Sequence, residues 1–122
     1  MSTFTIETEE ELEKMLDGHE TVALDFWAKW CAPCRGFEPV FESVAKQNTD
    51  MAFCRVNIKD APELKRAFEV KSTPTLAIIR DRVLVVLHTG YMDQKALSNL
   101  IEQVRTLDVA AVRKQAEADA VS

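Results

Sequence analysis

The 122-residue sequence predicts an α/β domain: a mixed five-stranded sheet flanked by four helices, with an extra C-terminal helical tail. Three observations carry that prediction. Residues 22–28 and 51–58 are nearly continuous apolar runs, the pattern of strands covered on both faces. Stretches of helical periodicity precede, separate and follow them. Residues 75–79 and 83–88 are β-rich and joined by Arg80-Asp81-Arg82, a hairpin signal of moderate strength because no Gly is present. The resulting order, β-α-β-α-β-α-β-β-α, contains a central βαβ and a closing hairpin. It therefore needs both parallel and antiparallel pairing, with helices on both faces.

Each element has its own signal. Residues 3–6 alternate weakly, as a short edge strand would. Thr8 stands three residues before Glu11, a capping box that satisfies two orphan backbone N–H groups, and Leu12, Met15 and Leu16 follow at helical spacing. Asp17-Gly18 offers a left-handed stop for that helix. After the first buried strand, Phe37, Val40, Phe41, Val44 and Ala45 form one helical stripe, with Pro39 inside it and a kink expected there. Asp60 is placed to cap a short helix with Pro62 in its first turn and Leu64, Ala67 and Phe68 on one face. From Asp93 onward, Ala96, Leu97, Leu100, Ile101 and Val104 define a last amphipathic helix. No Gly or Pro follows Gly90, so that helix is expected to extend through the Ala-rich residues 108–122 as a weakly packed tail on a domain of residues 1–107.

Composition narrows the function classes. Apolar content is 47%, charged content 29%, and there are only 3 Gly and 4 Pro, which excludes collagenous and disordered classes. The net charge is −5, but residues 1–20 hold seven acids against Lys14, so the remainder sums to +1. No basic run dense enough for nucleic acid or an anionic membrane occurs. Residues 1–16 lack the basic, apolar and cleavage regions of a signal peptide, and no apolar run approaches a membrane span. A cytoplasmic, monomeric protein is expected.

The strongest chemical signal is Trp30-Cys31-Ala32-Pro33-Cys34, between a buried strand and a helix start. Cysteines three apart at a helix N-terminus can close a small disulfide loop, and the helix dipole with its unpaired N–H groups favours a thiolate at the first. The second lies one turn inside, placed to attack a mixed disulfide formed by the first. A structural zinc site is the alternative, but Cys54, His19 and His88 supply no second ligand pair. Asp25 is the single polar residue in its apolar run. Burial should raise its pKa towards neutrality and fit it for proton transfer, the alternative being a carboxylate ion-paired beneath the site. Cys54 reads as a buried, inert thiol, with a regulatory or dimer-forming thiol as the alternative.

Taken together, residues 25–35 (DFWAKWCAPCR), Pro39, Arg55-Val56-Asn57-Ile58, Thr73-Pro74-Thr75-Leu76 and Gly90 resemble the thioredoxin family in order and spacing, over roughly residues 4–107. The resemblance implies a thioredoxin fold and a Cys31–Cys34 redox disulfide that reduces protein disulfides. Cys31 would be the attacking thiolate, Cys34 the resolving thiol and Asp25 its acid/base. Trp30, Ala32, Pro33, Pro74 and Arg55 would support the site, with Arg55 where the family has Lys. Thr73-Pro74 alone reads as an ordinary trans bond at a strand start. The resemblance implies a cis bond facing the cysteines, and a shallow substrate groove of Trp30, Ile58, Ser72, Thr73, Pro74, Thr89, Gly90 and Tyr91. It implies no bound cofactor and no metal, with electrons supplied by NADPH through a flavoprotein thioredoxin reductase.

Four departures stand out. Ala32 replaces the commoner Gly, Asp81-Arg82 replaces a Gly-containing turn, Tyr91-Met92 is bulky after Gly90, and the tail exceeds the family's usual length. Two other functions stay open: a disulfide-forming or isomerising protein, and a co-chaperone or binding module that docks through its tail. Lys29, Arg35 and Lys71 should make the working face neutral to mildly basic, away from the acidic first helix.

Overall fold

A computed structural model describes residues 2–121 of the chain. Strand β1 (Phe4–Thr5) leads into helix α1 (Glu9–Gly18), where the expected capping box forms. Thr8 Oγ1 accepts the Glu11 N–H at 3.1 Å, and Glu11 Oε1 accepts the Thr8 N–H at 3.2 Å. The helix does not use a left-handed stop at Gly18; His19 simply leaves it in extended backbone, φ −142° and ψ 136°. Then come β2 (Thr21–Trp27), α2 (Ala32–Gln47), β3 (Ala52–Asn57), α3 (Pro62–Ala67), β4 (Thr75–Arg80), β5 (Val83–Thr89), α4 (Gln94–Arg105) and α5 (Val109–Val121).

The sheet order is β1-β3-β2-β4-β5. Strand β2 sits at the centre, parallel to β3 and antiparallel to β4, with β1 parallel on one edge and β5 antiparallel on the other. This is the expected mixed sheet. Alternation along the strands sorts the core into two layers. Val22, Leu24 and Phe26 join Cys54, Val56, Ala77 and Ile79 beneath Leu12 of α1 and Leu64 of α3. Ala23, Phe53, Leu76 and Ile78 lie beneath Phe37, Phe41 and Val44 of α2 and Leu97, Ile101 and Val104 of α4. Asp25, two residues after Ala23, therefore points to the α2 side.

One local expectation changes, and the expected hairpin forms with an unusual turn. Ala61, not Asp60, occupies the N-cap of α3, and no side chain caps it; Pro62 takes the first turn, where a missing N–H costs nothing. The hairpin closes through Asp81 and Arg82, both at positive φ (49° and 64°), the geometry that usually calls for Gly or Asn. Arg82 is held there by contacts to Glu13 and Asp17 of α1, and the Asp81 N–H donates to the Glu20 carbonyl at 2.9 Å.

The tail is helical but does not extend the preceding helix, so the domain is flanked by five helices. Arg80 Nη1, projecting from the sheet, donates to the Val104 carbonyl at 2.7 Å and the Leu107 carbonyl at 2.6 Å. Those contacts turn the chain at Thr106–Leu107, where a regular helix would continue. Asp108 then accepts the Ala111 N–H at 3.1 Å and starts α5. Only Val109 and Val112 of the tail's described side chains are even half-buried; α5 rests against β5, with Arg113 donating to the Asp81 carbonyl at 3.0 Å.

Candidate active site

The sheet register brings the chemistry-bearing segments to one end. Trp27 and Asn57 pair as the last residues of β2 and β3. Phe26 pairs with Thr75, the first residue of β4, and Thr75 pairs with Thr89, the last of β5. Residues 28–31, 58–60, 72–74 and 90–91 therefore all leave the sheet at the same edge. The turn of Asp81-Arg82 and the acids Glu13, Asp17 and Glu20 that meet it or Arg80 lie at the other.

At the working edge, Cys31 is the N-cap of α2, with extended backbone (φ −107°, ψ 105°), and its Sγ accepts the Cys34 N–H at 3.1 Å. Pro33 lies within the first turn, where its missing donor is harmless. Cys31 and Cys34 form a disulfide with Cα atoms 5.2 Å apart. Cys31 is half-buried, whereas Cys34 is 2% exposed and shares the inward stripe of Phe37 and Phe41. The pair is thus asymmetric: Cys31 is partly exposed at the positive helix end, and Cys34 is sheltered. Ala32 is exposed and in contact with solvent rather than with the core.

Asp25 is fully buried on the face that α2 covers. Oδ2 accepts one bond from Arg55 Nε at 3.4 Å, and the buried Oδ1 has no partner in the protein. Loss of hydration raises its pKa to about 6; the Arg55 cation and its hydrogen bond oppose that rise, and the negative Glu38 adds to it. Arg55 itself reaches outward, with Nη1 3.3 Å from Glu38 Oε1 and its guanidinium 4.6 Å from the Trp27 ring centre. Glu38 and Trp27 were not singled out from the sequence. The available signal for Glu38 was its spacing, four residues after Cys34, which puts both on one helix row.

The expected groove residues fall into two groups. Trp30 is 85% exposed, with Lys29 Nζ 5.3 Å above its ring, and it shares a cavity of about 420 Å³ with Ile58. Lys59 and Lys65 also line that cavity, against the single acid Asp60. Across from it, the Thr73–Pro74 bond is cis, Pro74 is buried and its carbonyl accepts the Gly90 N–H at 2.9 Å. Thr75 Oγ1 donates to the Ser72 carbonyl at 2.7 Å and lies 3.5 Å from Thr89 Oγ1. Gly90 has φ +109°, which explains a glycine there. Tyr91 does not hang free: its ring stands edge-on to Phe37 at 6.5 Å and lies against Gly36, so it seats on α2 beside the cysteines.

Cys54 is fully buried, and loss of hydration pushes its thiol up to about 12. Among the described residues, no group of three or more His, Cys, Asp or Glu is arranged to hold a metal ion. No helix among them is long and apolar enough to cross a membrane.

The thioredoxin family model matches residues 3–103, which leaves α5 beyond the match. A Streptomyces coelicolor protein named "Putative thioredoxin 2" is 42% identical over 113 residues, covering 92% of this chain and 84% of that protein. The thioredoxin of Mycoplasmoides gallisepticum is 32% identical over 92 residues, covering 75% of this chain and 92% of its own. Among solved structures, a mutant thioredoxin from Halobacterium salinarum NRC-1 aligns with a TM-score of 0.81 at 33% identity, over 87% of this chain and 93% of that one. With its disulfide at the start of α2 and this match over most of its length, the chain belongs to the thioredoxin family, and Cys31 and Cys34 are its redox-active pair.

Proposed function

We propose that the protein reduces disulfides of other proteins, with Cys31 as the attacking group and Cys34 as the resolving one. The observation that carries this assignment is the asymmetry of the pair: Cys31 is half-buried at the N-cap and its Sγ accepts the Cys34 N–H at 3.1 Å, whereas Cys34 is sheltered. In the dithiol form the same N–H and the helix dipole favour a Cys31 thiolate. That thiolate attacks one sulfur of the substrate disulfide; a mixed disulfide forms and the other substrate sulfur leaves as thiolate, then takes a proton from water. Cys34 next gives its S–H proton to Asp25, directly or through water, and its sulfur attacks Cys31 Sγ. The Cys31–Cys34 bond forms, the bond from Cys31 to substrate breaks, and the second substrate thiol is released. Two electrons pass from the dithiol to the substrate.

The single 3.4 Å contact to Arg55 and the unpartnered Oδ1 support proton transfer by Asp25 over a closed ion pair. The apolar patch of Trp30 and Ile58, and the turn of Ser72, Thr73 and Pro74 against Thr89, Gly90 and Tyr91, form the walls of the substrate groove on this reading. An extended substrate segment would lie between them. Family membership supports a cytoplasmic monomer that draws electrons from NADPH through a flavoprotein reductase and binds no cofactor. Residues 1–107 form the catalytic unit, and α5 is dispensable for it.

Turnover of a protein disulfide with NADPH and a thioredoxin reductase tests the reading. Wild type turns over, Cys31→Ser does not, and Cys34→Ser accumulates the mixed disulfide. No turnover by wild type overturns it. A reduction potential near about −270 mV is expected, whereas one at about −120 to −180 mV would assign an oxidising or isomerising role.

A further inference from the structure

Arg55 carries two carboxylates that compete for one guanidinium. Its planar fork is built to grip a single carboxylate through two parallel N–H bonds. Asp25, its register partner on β2, is the obvious recipient. Yet Asp25 receives only Nε, at 3.4 Å, while Nη1 lies 3.3 Å from Glu38 Oε1. The Trp27 ring centre, 4.6 Å from the guanidinium, adds a cation–π contact. Glu38 sits one helical turn beyond Cys34 on α2, so the helix that carries the resolving thiol also carries the group that draws Arg55 aside.

We propose that Glu38 is a positioning residue for the resolving step: it draws Arg55 outward, so that Asp25 Oδ1 stays open to take the Cys34 proton. This rests on Asp25 acting as that proton acceptor. The charged groups that act on Asp25 are Arg55 from β3 and Glu38 from α2; its register partner on β4, Leu76, brings no charge. Without the Glu38 charge, Arg55 is free to close both arms on Asp25, making a forked ion pair that holds the carboxylate ionised and occupied. Glu38 is half-exposed, and its replacement leaves no cavity in the core.

The test follows the Asp25 carboxyl by carbon-13 NMR in the disulfide form, where neither substrate nor reductase is needed. Glu38→Gln should lower its midpoint by about one pH unit from about 6. The same substitution in an Arg55→Met background should give a much smaller change, since the guanidinium that transmits the effect is gone. No change in the wild-type background, or an equal change in both, overturns the proposal. The second arm loads Cys31 with a chromophoric thiol and records its release by Cys34 against pH. Glu38→Gln should move the rising limb down by the same interval and lower the plateau, because a less basic carboxylate accepts a proton less readily. If the NMR midpoint moves and the release profile does not, the proton-acceptor role of Asp25 fails, and with it the positioning role of Glu38. If neither moves, Glu38 alone fails.

Discussion

Asp25 and Arg55 stand opposite each other in the register of two parallel strands and still share only one contact, Oδ2 to Nε at 3.4 Å. A buried carboxylate so weakly compensated costs the fold stability once it ionises. It is retained at the sheet end where the cysteines lie.

That cost gives a pH dependence with a definite sign. Burial raises the Asp25 pKa from 3.8 to about 6, so the folded protein binds a proton that the unfolded chain has lost between those values. Its favourable contribution is complete below about pH 4 and is lost as pH rises through about 6. Asp25→Asn removes the dependence. Relative to wild type, the oxidised variant should therefore gain up to about 3 kcal/mol of stability between pH 3.5 and pH 8. Urea denaturation at the two pH values measures this, and a difference that does not change with pH would contradict the assigned cause.

The three cysteines should react in a fixed order. In the reduced protein at pH 7, iodoacetamide should label Cys31 first, since it is partly exposed and sits at the N-cap. Cys54, buried and with its thiol pushed up to about 12, stays protonated at that pH and should remain unlabelled until the chain unfolds. Mass spectrometry of quenched samples reads the order. Early labelling of Cys54 would revive a regulatory or dimer-forming role for it.

Two changes near the tail should differ in effect. Arg80→Met removes the donor that serves the Val104 and Leu107 carbonyls and also meets Glu20, and should cost about 2–3 kcal/mol. Truncation after Leu107 keeps those bonds and loses chiefly the burial of Val109, about 1–2 kcal/mol. Disulfide-reductase activity of the truncated chain should remain within about twofold of the full chain, because α5 rests on β5 near the Asp81 turn, at the sheet end away from the cysteines. Thermal melts and a turnover assay separate the two. Activity lost on truncation, with the melt little changed, would return the tail to consideration as part of the working surface.

Much of this architecture was legible in advance because its signals are local. Periodicity places the strands and helices, the Thr8–Glu11 capping box starts α1, and Cys-Ala-Pro-Cys at a helix start states its chemistry through spacing. Three of the acids of α1 and its flank, Glu13, Asp17 and Glu20, meet Arg82 and Arg80 at the far end of the sheet. Where the reading failed, the deciding contact came from far along the chain. Local propensity favours one helix from Gln94 onward, but an arginine from β4 captures the last carbonyls and splits it. The hairpin at Asp81-Arg82 was expected and forms, but its Gly-free turn is held by carboxylates of α1 that only the fold brings to Arg82.

The sequence by itself determined the element order, the two-sided burial of the central strands and the identity of the redox pair, since each follows from spacing of a few residues. Only the tertiary structure decided what surrounds the buried carboxylate. The partners of Arg55 come from β2 and α2, and the choice between gripping Asp25 and leaning toward Glu38 depends on distances set by packing the helix across the sheet. The net charge of −5 is silent on that choice. One guanidinium shared between a buried acid and an exposed one sets the electrostatics beneath the cysteines.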